Sequence, residues 1–288
     1  WNIGNETIFW TRREDERIAF CKFLESIVQD VHAIDPDHPV LYTASAANDI
    51  VYLKKYVPSL DIIGINAYGG FDQLHFQLTD LFAVPYLVTE FGSLGEWSRN
   101  KDPQGVPFEL NDESKMGYYK QYAHKIKSFY GYCLGGFAFY LGDTTQVSLS
   151  WWNINYGARK KYSFLAMEDF YKDKDYRRPP FVVKDVRLEK HTLSPAQEFE
   201  VSVALKNVLN PEQPVEYSVI VSTTSDAVLV EYPIQAVGRP VTSESPVLKI
   251  KAPEKPGIYR VYAVVSQGDY ASVLNKSIVV KTPPPHRE

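Results

Sequence analysis

The sequence predicts two architectures in series: an α/β domain of parallel strands joined by crossover helices, then an all-β sandwich of immunoglobulin or fibronectin type. From residue 14 to about 171 the apolar residues alternate between helical and strand-like spacing. Arg177-Arg178-Pro179-Pro180 then stops any helix, because proline lacks the amide hydrogen and its ring clashes with the preceding turn. From Phe181 to Lys281 the spacing becomes period two, as in Phe199, Val201, Val203 and Leu205, with turn signals such as Asn210-Pro211 and Lys255-Pro256-Gly257 between the runs. About 100 residues of short strands fit a seven-strand sandwich.

The elements of the first part follow in order. Phe20, Leu24, Ile27, Val28 and Val31 share one helical face and precede a short apolar strand, Val40-Leu41-Tyr42. Ile50, Val51 and Leu53 mark a short helix, and Ile62-Ile63-Gly64-Ile65 reads as a fully buried strand. Leu74, Leu78 and Leu81 mark the next helix, before the strand Tyr86-Leu87-Val88-Thr89. A helix from near Asn111 carries Tyr119, Tyr122, Ile126 and Phe129, and leads to a strand at Phe137-Ala138-Phe139-Tyr140. Phe164, Leu165 and Phe170 close the run on a last helix.

Four strand-helix units are legible here, plus a strand ending at Trp1, whereas a closed (β/α)8 TIM barrel has eight. An open half-barrel exposes a strand edge, which natural proteins avoid. The expected organisation is therefore the C-terminal half of such a barrel over residues 1–178, its front half lying upstream in the same polypeptide. An accessory sandwich follows over 179–282, and a tail over 283–288, where Pro283-Pro284-Pro285 resembles a linker.

Composition narrows the function. Of 288 residues, 44% are hydrophobic and 23% charged, values of a globular chain with a sizeable core. The net charge of -4, with no block of like charge, gives no electrostatic support to a nucleic-acid or anionic-membrane partner. No apolar run approaches the roughly 20 residues of a membrane span. Cys21 and Cys133 lack any metal-ligand or redox spacing and read as buried thiols, and the six histidines share no zinc-type spacing. The absence of a Gly-x-Ser-x-Gly turn weakens a serine hydrolase. Neither a metal nor a cofactor is expected. Aromatic residues reach 14%, a weak hint of sugar stacking.

Two carboxylates stand at the ends of predicted strands, where a barrel gathers its catalytic groups: Glu6 and, 84 residues on, Glu90. Two further strands lie between them, so the pair terminates strands three steps apart. Glycoside hydrolysis uses such a pair, one protonated to assist the leaving oxygen and one ionised to attack the anomeric carbon. Desolvation or the charge of a neighbouring carboxylate would keep the acid protonated, and loss of that charge in the covalent intermediate would turn it into a base.

Trp1-x-x-Gly4-Asn5-Glu6, Gly64-Ile65-Asn66-Ala67-Tyr68-Gly69-Gly70 and Thr89-Glu90-Phe91-Gly92 resemble the fourth, sixth and seventh strand motifs of clan A retaining glycoside hydrolases, most closely family 2, the β-galactosidase, β-glucuronidase and β-mannosidase group. The resemblance covers roughly residues 1 to 175. It implies that Glu6 is the general acid/base and Glu90 the nucleophile. It also implies that Asn5 bonds the 2-hydroxyl of the sugar, and that Tyr68 orients Glu90 and helps to ionise it. Asn66, in the second motif, joins the substrate-binding candidates. The eighth strand departs from the pattern: where the clan places a Trp floor under the sugar, Phe139-Tyr140-Leu141-Gly142-Asp143 offers Leu and Gly. Trp151 and Trp152 follow shortly and are expected to point one inward and one outward, one of them touching sugar. Trp97 lies in the long connection Phe91 to Leu110, a length that favours a functional loop. The expected activity is double displacement on β-linked glycosides or glucans. The alternatives are a β-glucan transglycosylase and a non-catalytic carbohydrate-binding barrel. Asn5-Glu6-Thr7 and Asn275-Lys276-Ser277 also match the glycosylation sequon, and a glycan on Asn5 would block the proposed site.

Overall fold

A computed structural model describes residues 1–82, 85–206, 208–209, 213–225, 227–237 and 247–282. The Asn210-Pro211 turn and the Pro283-Pro284-Pro285 tail lie outside them. The chain forms two compact units, Trp1–Gly92 with Lys120–Phe139, and Ser93–Tyr119 with Tyr140–Glu288.

The first unit is a parallel sheet with crossover helices. Its elements are β1 (Asn2–Asn5), α1 (Thr7–Trp10), α2 (Glu14–Ile34), β2 (Leu41–Ala44), α3 (Ala47–Tyr56), β3 (Ile62–Ala67), α4 (Phe71–Phe82), β4 (Tyr86–Phe91), α5 (Asp112–Ser128, divided between the units) and β5 (Cys133–Ala138). The strands lie in chain order, β1-β2-β3-β4-β5, all parallel. Parallel neighbours need a crossover, and the amphipathic helices supply it: Leu24 and Val28 of α2, and Ile50 and Leu53 of α3, are buried. In β3 the run Ile63 to Ala67 is buried throughout, the mark of a strand covered on both faces.

One strand differs from its reading. The sequence places the last strand at Phe137–Tyr140, whereas β5 begins four residues earlier, at Cys133. Gly135 and Gly136 hide it from an apolar count. Gly136 is required by packing, since a Cβ there would stand 2.7 Å from Ile126 Cδ1 of α5. Phe137, with which the sequence opens that strand, lies inside β5 and is 62% exposed.

The second unit comprises a 3₁₀ turn at Glu96–Ser98, β6 (Asn155–Tyr156), β7 (Arg159–Lys160), α6 (Tyr162–Tyr171), β8 (Val182–Leu188), β9 (Thr192–Leu193), β10 (Glu198–Lys206), β11 (Val215–Thr223), β12 (Val228–Val237), β13 (Leu248–Lys251), β14 (Gly257–Gln267) and β15 (Tyr270–Val280). One sheet runs β13-β10-β8; the other runs β12-β11-β14-β15-β7-β6, with β9 also on β15. Their inward residues, among them Val201, Val203, Val219, Val261 and Ile278, form one buried core. From Val182 onward the described residues hold eight strands rather than seven. The secondary structure changes between Tyr171 and Val182, but α6 packs with the strands: Leu165 belongs to the sandwich core.

Candidate active site

Strand ends of the first unit assemble a connected polar cluster. Glu6 follows β1 directly and is half-buried, with φ of 58°, a left-handed conformation uncommon outside glycine. Its amide donates to the Thr43 carbonyl of β2 at 2.9 Å, so the chain turns from strand to helix on this one residue. Residues kept in such a conformation are over-determined by their surroundings and concentrate at functional sites.

Asn66 is the hub. Its side chain is buried, and Thr89 Oγ1 donates to its Oδ1 at 2.9 Å. With the oxygen so engaged, Nδ2 faces the other way, donating to Glu6 Oε1 at 2.7 Å and to Asn5 Oδ1 at 3.1 Å. The register between β3 and β4 slips here. Ile65 pairs with Val88, but Asn66 pairs with Glu90, which leaves Thr89 as the extra residue of a bulge. A bulge re-aims the side chains around it, here bringing Glu90 level with Asn66. Gly64 makes room beneath, since a Cβ there would meet Thr43 Oγ1 at 2.8 Å.

Tyr68 donates its phenolic hydrogen to Glu90 Oε2 at 2.7 Å, and Phe139 packs edge-on against the Tyr68 ring. Burial pushes the Glu90 carboxyl above the ordinary glutamate range. The Tyr68 bond pulls it down, the charge of Glu6 pushes it up and the Asn66 amide pulls it down, leaving the net upward. The two carboxyl groups therefore sense each other.

Sequence reasoning missed Asp49 on α3. It is buried, and burial raises its carboxyl; backbone hydrogen bonds from Ser45 and Ala46 and the charge of Arg17 oppose this, while the charge of Glu6 adds to it. It follows β2 by only five residues, a position that an isolated acidic residue in a helical stretch does not advertise. Phe9 and Trp10 of α1, 49% and 71% exposed, were also passed over.

The structure thus brings Asn5, Glu6, Asn66, Tyr68 and Glu90 together in the first unit. Trp97, Trp151 and Trp152 belong to the second. Trp151 and Trp152 are both 2% exposed, so neither is the outward ring that the doublet suggests. They lie outside any strand, where alternation does not apply, and Trp151 Nε1 donates to the Leu94 carbonyl at 3.1 Å. Trp97 is the exposed ring, 65%, with Trp152 6.2 Å from it. Leu141 is also exposed.

Cys21 and Cys133 are buried, free thiols. Among the described residues no cluster of three or more His, Cys, Asp or Glu could hold a metal ion, and no helix is long and apolar enough to cross a membrane. Asn275 is buried against Glu109, a poor glycan acceptor.

No family model and no curated protein matches the sequence. Solved structures do. β-Glucuronidase 2 of Bacteroides uniformis, covalently bound to cyclophellitol-6-carboxylate aziridine, is 15% identical with a TM-score of 0.43, over 98% of this chain and 34% of that one. A Parabacteroides merdae β-glucuronidase with glycerol in its active site is 13% identical with a TM-score of 0.38, over 100% of this chain and 38% of that one. An immunoglobulin-like protein from Pseudomonas aeruginosa matches 36% of this chain at 17% identity and a TM-score of 0.21. The chain spans about a third of the length of the two glucuronidases. With TM-scores below 0.5, the functional reading rests on the residues of the site.

Proposed function

We propose that this chain is part of a retaining glycoside hydrolase acting on β-linked glycosides, its parallel sheet being the C-terminal half of a (β/α) barrel. The observation that carries the reading is the linked cluster in which Asn66 donates to Glu6, Glu90 stands beside Asn66 on the neighbouring strand, and Tyr68 donates to Glu90. The carboxyl groups of Glu6 and Glu90 are near enough for the charge of one to act on the other; retention calls for a separation of roughly 5 to 5.5 Å, and inversion for roughly 6.5 to 9.5 Å to admit a water.

In this reading Glu90 attacks the anomeric carbon while the bond to the leaving oxygen breaks and Glu6 gives that oxygen its proton. Water then loses a proton to Glu6, its oxygen bonds the anomeric carbon, and Glu90 departs. Tyr68 holds the ionised Glu90 in its attacking orientation. Asn5, fixed by Asn66, is placed for the 2-hydroxyl. The same intermediate, intercepted by a sugar hydroxyl, gives transglycosylation.

Glu90→Ala in the full-length protein tests this with aryl β-glycosides, with and without azide. Loss of turnover restored by azide, giving a glycosyl azide of inverted configuration, is the expected result. Turnover that survives Glu90→Ala, or a wild-type protein that binds glucans and turns over no member of the panel, would overturn it.

A further inference from the structure

We propose that Phe9 and Trp10 form a stacking platform for a sugar ring in the leaving group, so that this site is built for oligosaccharides rather than for glycosides of small alcohols. The proposal rests on the reading of Glu6 as acid/base. The proton of Glu6 goes to the glycosidic oxygen, the atom that departs with the leaving group. Exposed side chains close to Glu6 are therefore the candidates for contact with that group, and those around Glu90 for contact with the sugar that stays.

Phe9 and Trp10 are three and four residues beyond Glu6, in the short helix that starts directly after it. The Phe9 amide donates to the Glu6 carbonyl at 3.1 Å, closing that turn. Four residues of helix advance only about 6 Å, so both rings originate within one turn of the acid/base. The turn is anchored from beneath. Ile8 is fully buried, its amide donates to the Tyr42 phenol oxygen at 2.9 Å, and Thr11 closes the end by donating to the Thr7 carbonyl. With Ile8 inward, Phe9 and Trp10 are left outward, 49% and 71% exposed.

The two rings also brace each other, edge to face at 87° with centroids 5.2 Å apart. Large aromatic rings bury apolar area at little entropic cost, and a pair already braced loses less freedom when a sugar face covers it. A single exposed aromatic is ordinary. Two braced rings on a pinned turn, begun by a residue at positive φ that is itself the candidate acid, make a surface prepared for a planar, partly apolar ligand.

The test compares leaving groups with and without a ring, on the same glycosyl unit, in the full-length protein. Matched pairs are lactose with β-galactosyl fluoride, cellobiose with β-glucosyl fluoride, and mannobiose with β-mannosyl fluoride. For the pair that the wild type hydrolyses, Trp10→Ala should lower kcat/KM on the disaccharide about three- to tenfold and leave the fluoride unchanged. Phe9→Ala should give a smaller loss of the same kind, and Trp10→Phe should keep most of the activity. Equal losses on disaccharide and fluoride, an unchanged disaccharide rate, or a loss accompanied by a lower Tm as from a packing residue would each overturn the platform alone. A wild type inert on every pair would overturn it together with the reading of Glu6.

Discussion

Two clusters of buried and half-buried carboxylates invite comparison. In the second unit, Glu109 is bonded by Lys115, Asn275, Ser148 and Ser150, and Asp112 by Lys161 at 3.1 Å, Ser272 at 2.8 Å and the Val273 amide at 3.0 Å. All four charged side chains are at most 3% exposed. In the first unit, Glu6 and Glu90 are half-buried and held by an amide and a phenol. Burial pushes the Glu109 carboxyl up, but the charges of Lys115 and Lys161 and its hydrogen bonds outweigh this and hold it below the ordinary range. Glu90, held by neutral donors beside another carboxylate, is pushed above it. The same residue type is held ionised by counter-charges in one place and left without one in the other, where the proposed function puts the nucleophile.

The sharpest break is at the acid. Glu6→Gln should lower kcat/KM about 10²- to 10⁴-fold on disaccharides, and far less on glycosyl fluorides, whose leaving group needs no proton. Kinetics on the matched pairs would show it. A comparable loss on both would place Glu6 in a structural role. In the other cluster, Glu109→Gln should cost about 3 to 5 kcal/mol, because Lys115 is left buried without its carboxylate. Denaturant unfolding measures this. The sign with pH follows from a depressed carboxyl: its contribution is complete above the unfolded value, near 4.5, and is lost as pH falls through the folded value. The difference between wild type and variant should therefore narrow on acidification.

Tyr68→Phe refines the comparison. It removes a hydrogen bond worth about 1.5 to 3 kcal/mol to the charged form of Glu90. Because that bond lowers the Glu90 pKa, the acid limb of the kcat/KM profile should move to higher pH in the variant. A limb that stays or moves down would contradict the assignment of that limb to Glu90.

The legible parts of the molecule are those whose partners lie in short motifs or regular periods. Glu6 and Glu90 were readable because each closes a strand inside a compact motif, and α2 because Leu24 and Val28 repeat at helical spacing. β5 was misplaced because Gly135, at positive φ, and Gly136, forced by the approach of Ile126, carry no apolar signal. Trp151 and Trp152 misled because loop residues have no alternation, and the residues from Trp151 to Ile154 are all buried. The Glu109 network was invisible for a different reason: Asn275 lies 166 residues from its partner, and only the folded chain joins them. Phe9 and Trp10 belong to no motif or period in the sequence, and only the burial of Ile8 shows which way their turn is anchored.

The most direct measurement is thermal unfolding of Glu90→Gln beside Glu109→Gln in the full-length protein at pH 7. A carboxyl raised in the folded state retains a proton that the unfolded chain has released, so stability falls as pH rises from about 4.5 through the folded value, and its charge is a net cost at neutrality. The account predicts that Glu90→Gln abolishes turnover and raises Tm, while Glu109→Gln lowers it. A fall in Tm for Glu90→Gln comparable to that of Glu109→Gln would make Glu90 a structural strut and contradict the account.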